Sequence, residues 1–324
     1  MTFTLPSLEE VRKAAESVYR VMQPTPQYRW PLLCERLGAD VWVKHENHTP
    51  TGSFKARTAV VYADELMKRE PTTRGLITAT RGNHGQSVAL AAKRFGLRAI
   101  VVVPRGNSVE KNAAMRGQGA ELIEYGSDYQ EAREYAASCQ AELGLHFVPP
   151  FHRDIVTGVA TYWLELFQAL RDLDAVYVPI GMGSGISAAA AVRNEFGMKT
   201  SIVGVVSELA PTYARSFEAN ACVEAPTTTK LADGLACRKP DETALGVLLK
   251  NVEGVVTVTE GQVAEAMRIF FRDTHNVVEG AGAAALAVAL KGKDVLRGKK
   301  IAVVATGGNV DHDVFARVLQ GECE

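Results

Sequence analysis

Apolar residues recur at helical spacing from near the start of the chain. Val11, Ala14, Ala15, Val18 and Met22 share one face behind Ser7 and Glu10, a pair in the order of a capping box, until Pro24 and Pro26 stop the pattern. Asp40 to His45 then alternates apolar and polar as a strand does. A turn-rich stretch, Asn47 to Gly52, leads through Ser53 and Phe54 into a second helix. From Gly75 onward short apolar runs alternate with helical patterns, giving strands at 76–79, 99–103 and 121–125 and helices near 85–95, 109–116 and 129–143. The rhythm resumes after Pro150, with helices near 155–170, 186–196 and 260–274 and strands at 175–180, 201–206, 254–258 and 300–305. Strands separated by helix-length segments need crossover connections, so the pattern predicts an α/β protein with parallel sheets. Two parallel-sheet domains are expected, a smaller one over 53–150 inserted into a larger one made of 1–52 with 151–324.

Composition narrows the ligand rather than the fold. The chain has 324 residues, is 47% hydrophobic and carries a net charge of -1, which offers no field to gather nucleic acid or an anionic membrane. A small molecule is the expected partner. Cys34, Cys139, Cys222, Cys237 and Cys323 are scattered, odd in number and without a C-x-x-C pair, so neither a disulfide framework nor a zinc site is expected. The first twenty residues lack the apolar run of a signal peptide, and no run nears the roughly 18 residues of a membrane span. A cytoplasmic protein is expected, with nothing after Asp311 long enough for a separate regulatory domain.

Three glycine-rich turns fall at the C-terminal ends of predicted strands, where open α/β sheets bind ligands. They are Thr80-Arg81-Gly82-Asn83-His84-Gly85, Gly181-Met182-Gly183-Ser184-Gly185 and Thr306-Gly307-Gly308-Asn309. In the second, strand, glycine loop and helix aim unpaired N–H groups and the positive end of a helix dipole at one point, which suits a phosphate. The same loop opens like a dinucleotide fingerprint, and Glu208 closes the next strand where a ribose-binding acid would lie, although Ile186 stands in place of the third glycine. A nicotinamide dehydrogenase is therefore an alternative.

The segment Thr51-Gly52-Ser53-Phe54-Lys55-Ala56-Arg57 resembles the cofactor-lysine motif of fold-type II pyridoxal 5'-phosphate (PLP) enzymes, the family of serine/threonine dehydratases, serine racemases, threonine synthases and cysteine synthases. Arg81 to Gln86, the loop at 181–185, Ala232-Asp233-Gly234, Val278 to Gly282 and Thr306 to Asp311 resemble its other landmarks in the right order, over nearly the whole chain. The pattern is most similar to the dehydratase and racemase branch. The resemblance implies the tryptophan synthase β-like architecture, PLP held by Lys55 as a Schiff base, and a homodimer. It also implies loss of the β-hydroxyl from an amino acid such as threonine, serine, 3-hydroxyaspartate or phenylserine, giving a 2-oxo acid and ammonia; β-replacement and racemisation are the family's alternatives.

By the same resemblance Asn83 would bond the cofactor's phenolic oxygen, Gly181, Met182, Gly183, Ser184 and Gly185 would hold its phosphate, and Thr306 would meet its pyridine nitrogen. Phe54, Gly234 and Glu279 would lie around the ring, and Thr80, Arg81, Gly82, Asn83 and His84 beside the substrate. The chemistry of the residues agrees: a desolvated Lys55 becomes the neutral amine that condenses with an aldehyde. A neutral hydroxyl at the pyridine nitrogen leaves a weaker electron sink than an acid, which favours elimination over transamination. Arg81 departs from the branch, where racemases use a serine at this place as a second acid/base. Its guanidinium, with a pKa above about 12, is a poor proton shuttle, so it is expected to bind the α-carboxylate or a second acid group instead. Some relatives hold a metal after the strand ending at Val206; residues 207–213 carry a single acid here, and no metal is expected.

Overall fold

The computed structural model describes residues 3–323. Helix α1 (Leu8–Tyr19) starts at the expected capping box, Ser7 Oγ accepting from the Glu10 N–H while the Glu10 carboxylate takes the Ser7 N–H. Strand β1 (Gln27–Arg29) and helix α2 (Pro31–Leu37) follow, the helix opened by a proline in its first turn. Next come β2 (Asp40–His45), α3 (Lys55–Arg69), β3 (Gly75–Ala79), α4 (Asn83–Arg94), β4 (Arg98–Val103), α5 (Val109–Gly117), β5 (Glu121–Glu124), α6 (Tyr129–Leu143) and β6 (His146–Phe147). The remainder is α7 (Arg153–Ala169), β7 (Ala175–Pro179), α8 (Ser184–Glu195), β8 (Ser201–Ser207), α9 (Thr212–Ala219), α10 (Glu242–Asn251), β9 (Gly254–Val258), α11 (Glu260–Thr274), α12 (Gly280–Lys291), α13 (Lys293–Leu296), β10 (Lys300–Ala305) and α14 (His312–Gln320).

Among the described residues the strands form a six-stranded sheet, ordered β1-β2-β10-β7-β8-β9, and a four-stranded sheet, ordered β5-β4-β3-β6. Every pairing is parallel except β1 on β2. Side chains of period two divide each sheet between two cores. In the smaller sheet Leu76, Val101 and Val103 join α3 and α4, while Ile77, Ile100 and Val102 face α6. In the larger, Ile301 and Val303 face α11 and α12, whereas Ala302 and Val304 face α7 and α8. Helix α12 was not foreseen from periodicity. It is apolar almost all round and buried from Gly280 to Ala289, so it has no polar face to mark its period. No helix among the described residues is long and apolar enough to cross a membrane.

A buried charge cluster ties α3 to its surroundings. Arg57 is 0% exposed and grips two carboxylates, Glu46 at 2.8 and 3.0 Å and Glu165 at 2.7 and 3.0 Å. Lys44, also fully buried, reaches Glu165 at 2.5 Å and the Thr25 carbonyl at 2.8 Å. Two cations meet two anions, so the cluster is neutral. Burial opposes the guanidinium charge, but Glu46 and Glu165 outweigh it and hold the Arg57 pKa above its ordinary value. The backbones are close here as well: a Cβ on Gly158 of α7 would lie 2.6 Å from the Arg57 carbonyl oxygen. Replacing Arg57 by Leu leaves buried Glu46 with no cation and Glu165 with Lys44 alone, and breaking a buried ion pair costs about 3–5 kcal/mol. A urea unfolding curve for Arg57→Leu is expected to show a loss of that order, and a loss below about 1 kcal/mol would mean that water already reaches the cluster.

Candidate active site

A cavity opens at the C-terminal ends of β3, β7 and β10, where the two sheets face each other through their loops. Its space, open mouth included, is about 1120 Å³. Phe54, Lys55, the turn Thr80–His84, the loop Gly181–Gly185, Gly234, Glu279 and Thr306 all line it. Residues more than 250 positions apart thus share one site. Glu208, the acid of the dinucleotide alternative, is exposed and does not line the cavity.

Lys55 is the first residue of α3, and what precedes it is strapped to the end of β10. Phe54 donates its N–H to the Thr306 carbonyl at 3.0 Å, and Gly308 donates to the Gly52 carbonyl at 2.9 Å. Gly52 needs to be glycine twice over: its φ is +66°, and a Cβ would meet Asn309 Oδ1 at 2.6 Å. Thr49 closes the turn, its hydroxyl donating to the Ser53 carbonyl at 2.7 Å and accepting from the Ser53 N–H at 2.9 Å. The Lys55 amine lies 4.9 Å from the centre of the Phe54 ring. Burial pushes its pKa down to about 8. At pH 7.5 about a quarter of such amines are neutral, against roughly one in a thousand at the ordinary value. Neighbouring His84 is kept neutral, pushed down to about 3 by burial and by the Lys55 charge.

The glycine loop runs from β7 into α8. Gly183 sits at φ +92° with Ala244 only 2.6 Å from where its Cβ would be, and a Cβ on Gly181 would lie 2.5 Å from the Gly234 carbonyl oxygen. Met182 turns its side chain toward the core, its sulfur 3.7 Å from Cys237 Sγ. Its carbonyl is drawn off by Tyr213, whose hydroxyl donates to it at 3.1 Å and accepts from the Asp241 N–H at 3.1 Å. With that carbonyl occupied, the start of α8 offers N–H groups to the cavity, the arrangement an anion requires.

Glu279 is the cavity's buried acid. It stands before the first turn of α12 without capping it; instead Oε1 accepts from Asn83 Nδ2 at 2.7 Å, and Oε2 has no partner. Asn83 does not brace its own turn, since its Oδ1 accepts from Asn309 Nδ2 at 2.7 Å. Lys111 of α5 pairs with Asp233 at 2.7 Å across the mouth, and both line the cavity. Arg81 lines it too, is exposed, and has no carboxylate partner among the described residues. Sequence reasoning missed Lys111, Tyr129 and Tyr162: none sits in a glycine-rich turn, and a lysine, or a tyrosine in a helical pattern, carries no mark of what it faces. No group of three His, Cys, Asp or Glu side chains among the described residues is placed to hold a metal.

An amine with a depressed pKa, a cradle of backbone N–H groups and an unpartnered carboxyl oxygen within one cavity fit an aldehyde cofactor bearing a phosphate. Comparison with known proteins agrees. The chain belongs to the family of pyridoxal-phosphate dependent enzymes, whose pattern matches residues 18–307, and PLP is its cofactor. It is 34% identical to an L-threonine ammonia-lyase of Thermotoga maritima over 97% of this chain and 78% of that one. With an L-threo-3-hydroxyaspartate ammonia-lyase of Saccharomyces cerevisiae the identity is 30%, covering 98% of each chain. The processed form of threonine deaminase isoform 2 from Solanum lycopersicum superposes with a TM-score of 0.89 at 28% identity, over 98% of this chain and 90% of that one. The nicotinamide dehydrogenase alternative is overturned by this membership.

Burial pushes the Glu279 pKa up to about 7, against the pull of nearby Lys111 and with Asp233 adding to the rise. A folded value above the ordinary 4.5 means that the folded chain holds this proton more tightly. The stability it contributes is full below about pH 4.5 and is lost as the pH rises through about 7. Glu279→Gln is expected to flatten that stretch of the Tm against pH curve of the cofactor-free protein. An unaltered slope would show that the carboxyl is ionised throughout.

Proposed function

We propose that this chain removes water and then ammonia from a small 3-hydroxy amino acid, threonine, serine or a 3-hydroxyaspartate- or phenylserine-like compound, leaving a 2-oxo acid. The observation that carries this reading is Lys55, an amine brought down to about 8 by burial, in one cavity with an anion-binding loop and a neutral hydroxyl at Thr306. The ammonia-lyase relatives support it. Lys55 would hold the cofactor and, as a neutral amine, would take the Cα proton. The backbone N–H groups of residues 181–185 would hold the phosphate, Thr306 would meet the pyridine nitrogen, and Asn83 would bond the phenolic oxygen. Phe54, Gly234 and Glu279 would wall the ring. When bound, the cofactor supplies a sink for the electrons left at Cα, and an uncharged partner at its nitrogen keeps that sink moderate.

On the substrate side the turn Thr80–His84 receives the carboxylate, and Arg81 supplies a cation with no acid partner among the described residues. A guanidinium fork suits a planar carboxylate, whereas it cannot return a proton to the second face of Cα, so elimination is favoured over racemisation. A cytoplasmic homodimer, with residues 53–150 as an inserted domain within 1–52 and 151–324, completes the reading.

Borohydride reduction of the yellow holoenzyme followed by peptide mapping is expected to fix the cofactor to Lys55. Lys55→Ala should release no keto acid from any 3-hydroxy amino acid, and a variant that keeps its turnover would sink the assignment. For Arg81→Ala, kcat/KM on 3-hydroxyaspartate should fall about tenfold or more, as expected for loss of a charge-assisted bond. Equal kcat/KM on every productive substrate would remove Arg81 from the site.

A further inference from the structure

Helix α7 brings a second tyrosine, Tyr162, to the cavity. It is 0% exposed and lines the cavity, yet its Oη makes no hydrogen bond to another of the described residues. The oxygen is 3.8 Å from where a Cβ on Gly185 would stand, beside the first turn of α8. Its ring is held from several sides: Phe54 meets it edge-on at 6.3 Å, and the Arg57 guanidinium lies 6.0 Å from its centre. The next residue, Trp163, donates Nε1–H to the Gly185 carbonyl at 3.0 Å, which ties this turn of α7 to the loop itself. Burial pushes the Tyr162 pKa well above its ordinary value, so the group remains an O–H donor.

An unpaired buried hydroxyl is costly, and phenylalanine would fill the same space without that cost. The bond must therefore be made to something the cavity takes up. The hydroxyl stands beside Gly185 in the cavity that the 181–185 loop also lines, and the N–H donors of that loop call for an anion. We infer that Tyr162 donates a hydrogen bond to the phosphate of the cofactor, as a side-chain ligand beside the backbone donors of residues 183–185. This rests on the reading of the 181–185 loop as the phosphate site. Bonds to charged acceptors are the stronger kind, and this one is dry and pre-aimed, since α7 fixes the ring before any ligand arrives.

The test uses the full chain freed of cofactor and titrated with PLP and with pyridoxal, which has the same ring and aldehyde but no phosphate. Tyr162→Phe is expected to weaken PLP binding about tenfold or more and to leave pyridoxal binding unchanged. The cofactor-free variant should melt no lower than the cofactor-free parent, because no protein bond is lost. Undiminished PLP affinity, an equal loss for both ligands, or a lowered Tm without cofactor would each overturn the inference, the last by showing a structural partner. Should the parent chain itself bind PLP no better than pyridoxal, the loop is not a phosphate site and the underlying reading fails with it.

Discussion

A guanidinium shut away from water survives only where its charge and its donors are all met, and in this chain that condition decides where helix α3 can lie. Arg57 must reach Glu46 at the end of β2 and Glu165 on α7 together, with Lys44 completing the neutral cluster. Lys55 stands two residues earlier, so the geometry that satisfies Arg57 also directs the lysine toward the cavity. The site's amine is aimed from behind, by a cluster that never touches the chemistry.

The glycine motifs are halves of contacts rather than separate signals. Gly52 is small because Asn309 comes close, and Gly307 because Glu279 does. Asn309 then bonds Asn83, which bonds Glu279, so the turns after β3 and β10 and the segment leading into α12 grip one another around the cavity. A change in any one of them is felt at the other two.

Much of this was legible in the sequence, for a physical reason. Strands buried on both faces and amphipathic helices leave periodic traces, and β3, β4, β7, β10, α1 and α11 were read from them. Elements without such a trace were not: β1 and α2 are too short, and α12 is buried on every side. The cavity residues that came from glycine-rich turns were found because such turns are locally unusual. Lys111 and Tyr162 sit in ordinary helical surroundings, and only the packing of distant segments gives them their neighbours. Glu279 lay between: its motif was visible, but its bond to Asn83 comes only from the packing of segments far apart in the chain.

The place of β10 carries a further consequence. It is the last strand among the described residues, yet it lies between β2 and β7 rather than at an edge, and it brings Thr306 and the turn that straps Lys55. During synthesis the larger sheet must therefore wait with an open slot until β10 has left the ribosome. Contacts of such long range make assembly slow, and the gap leaves unpaired apolar strands exposed meanwhile. Losing β10 would take out an interior strand, the keystone between β2 and β7, rather than trim an edge.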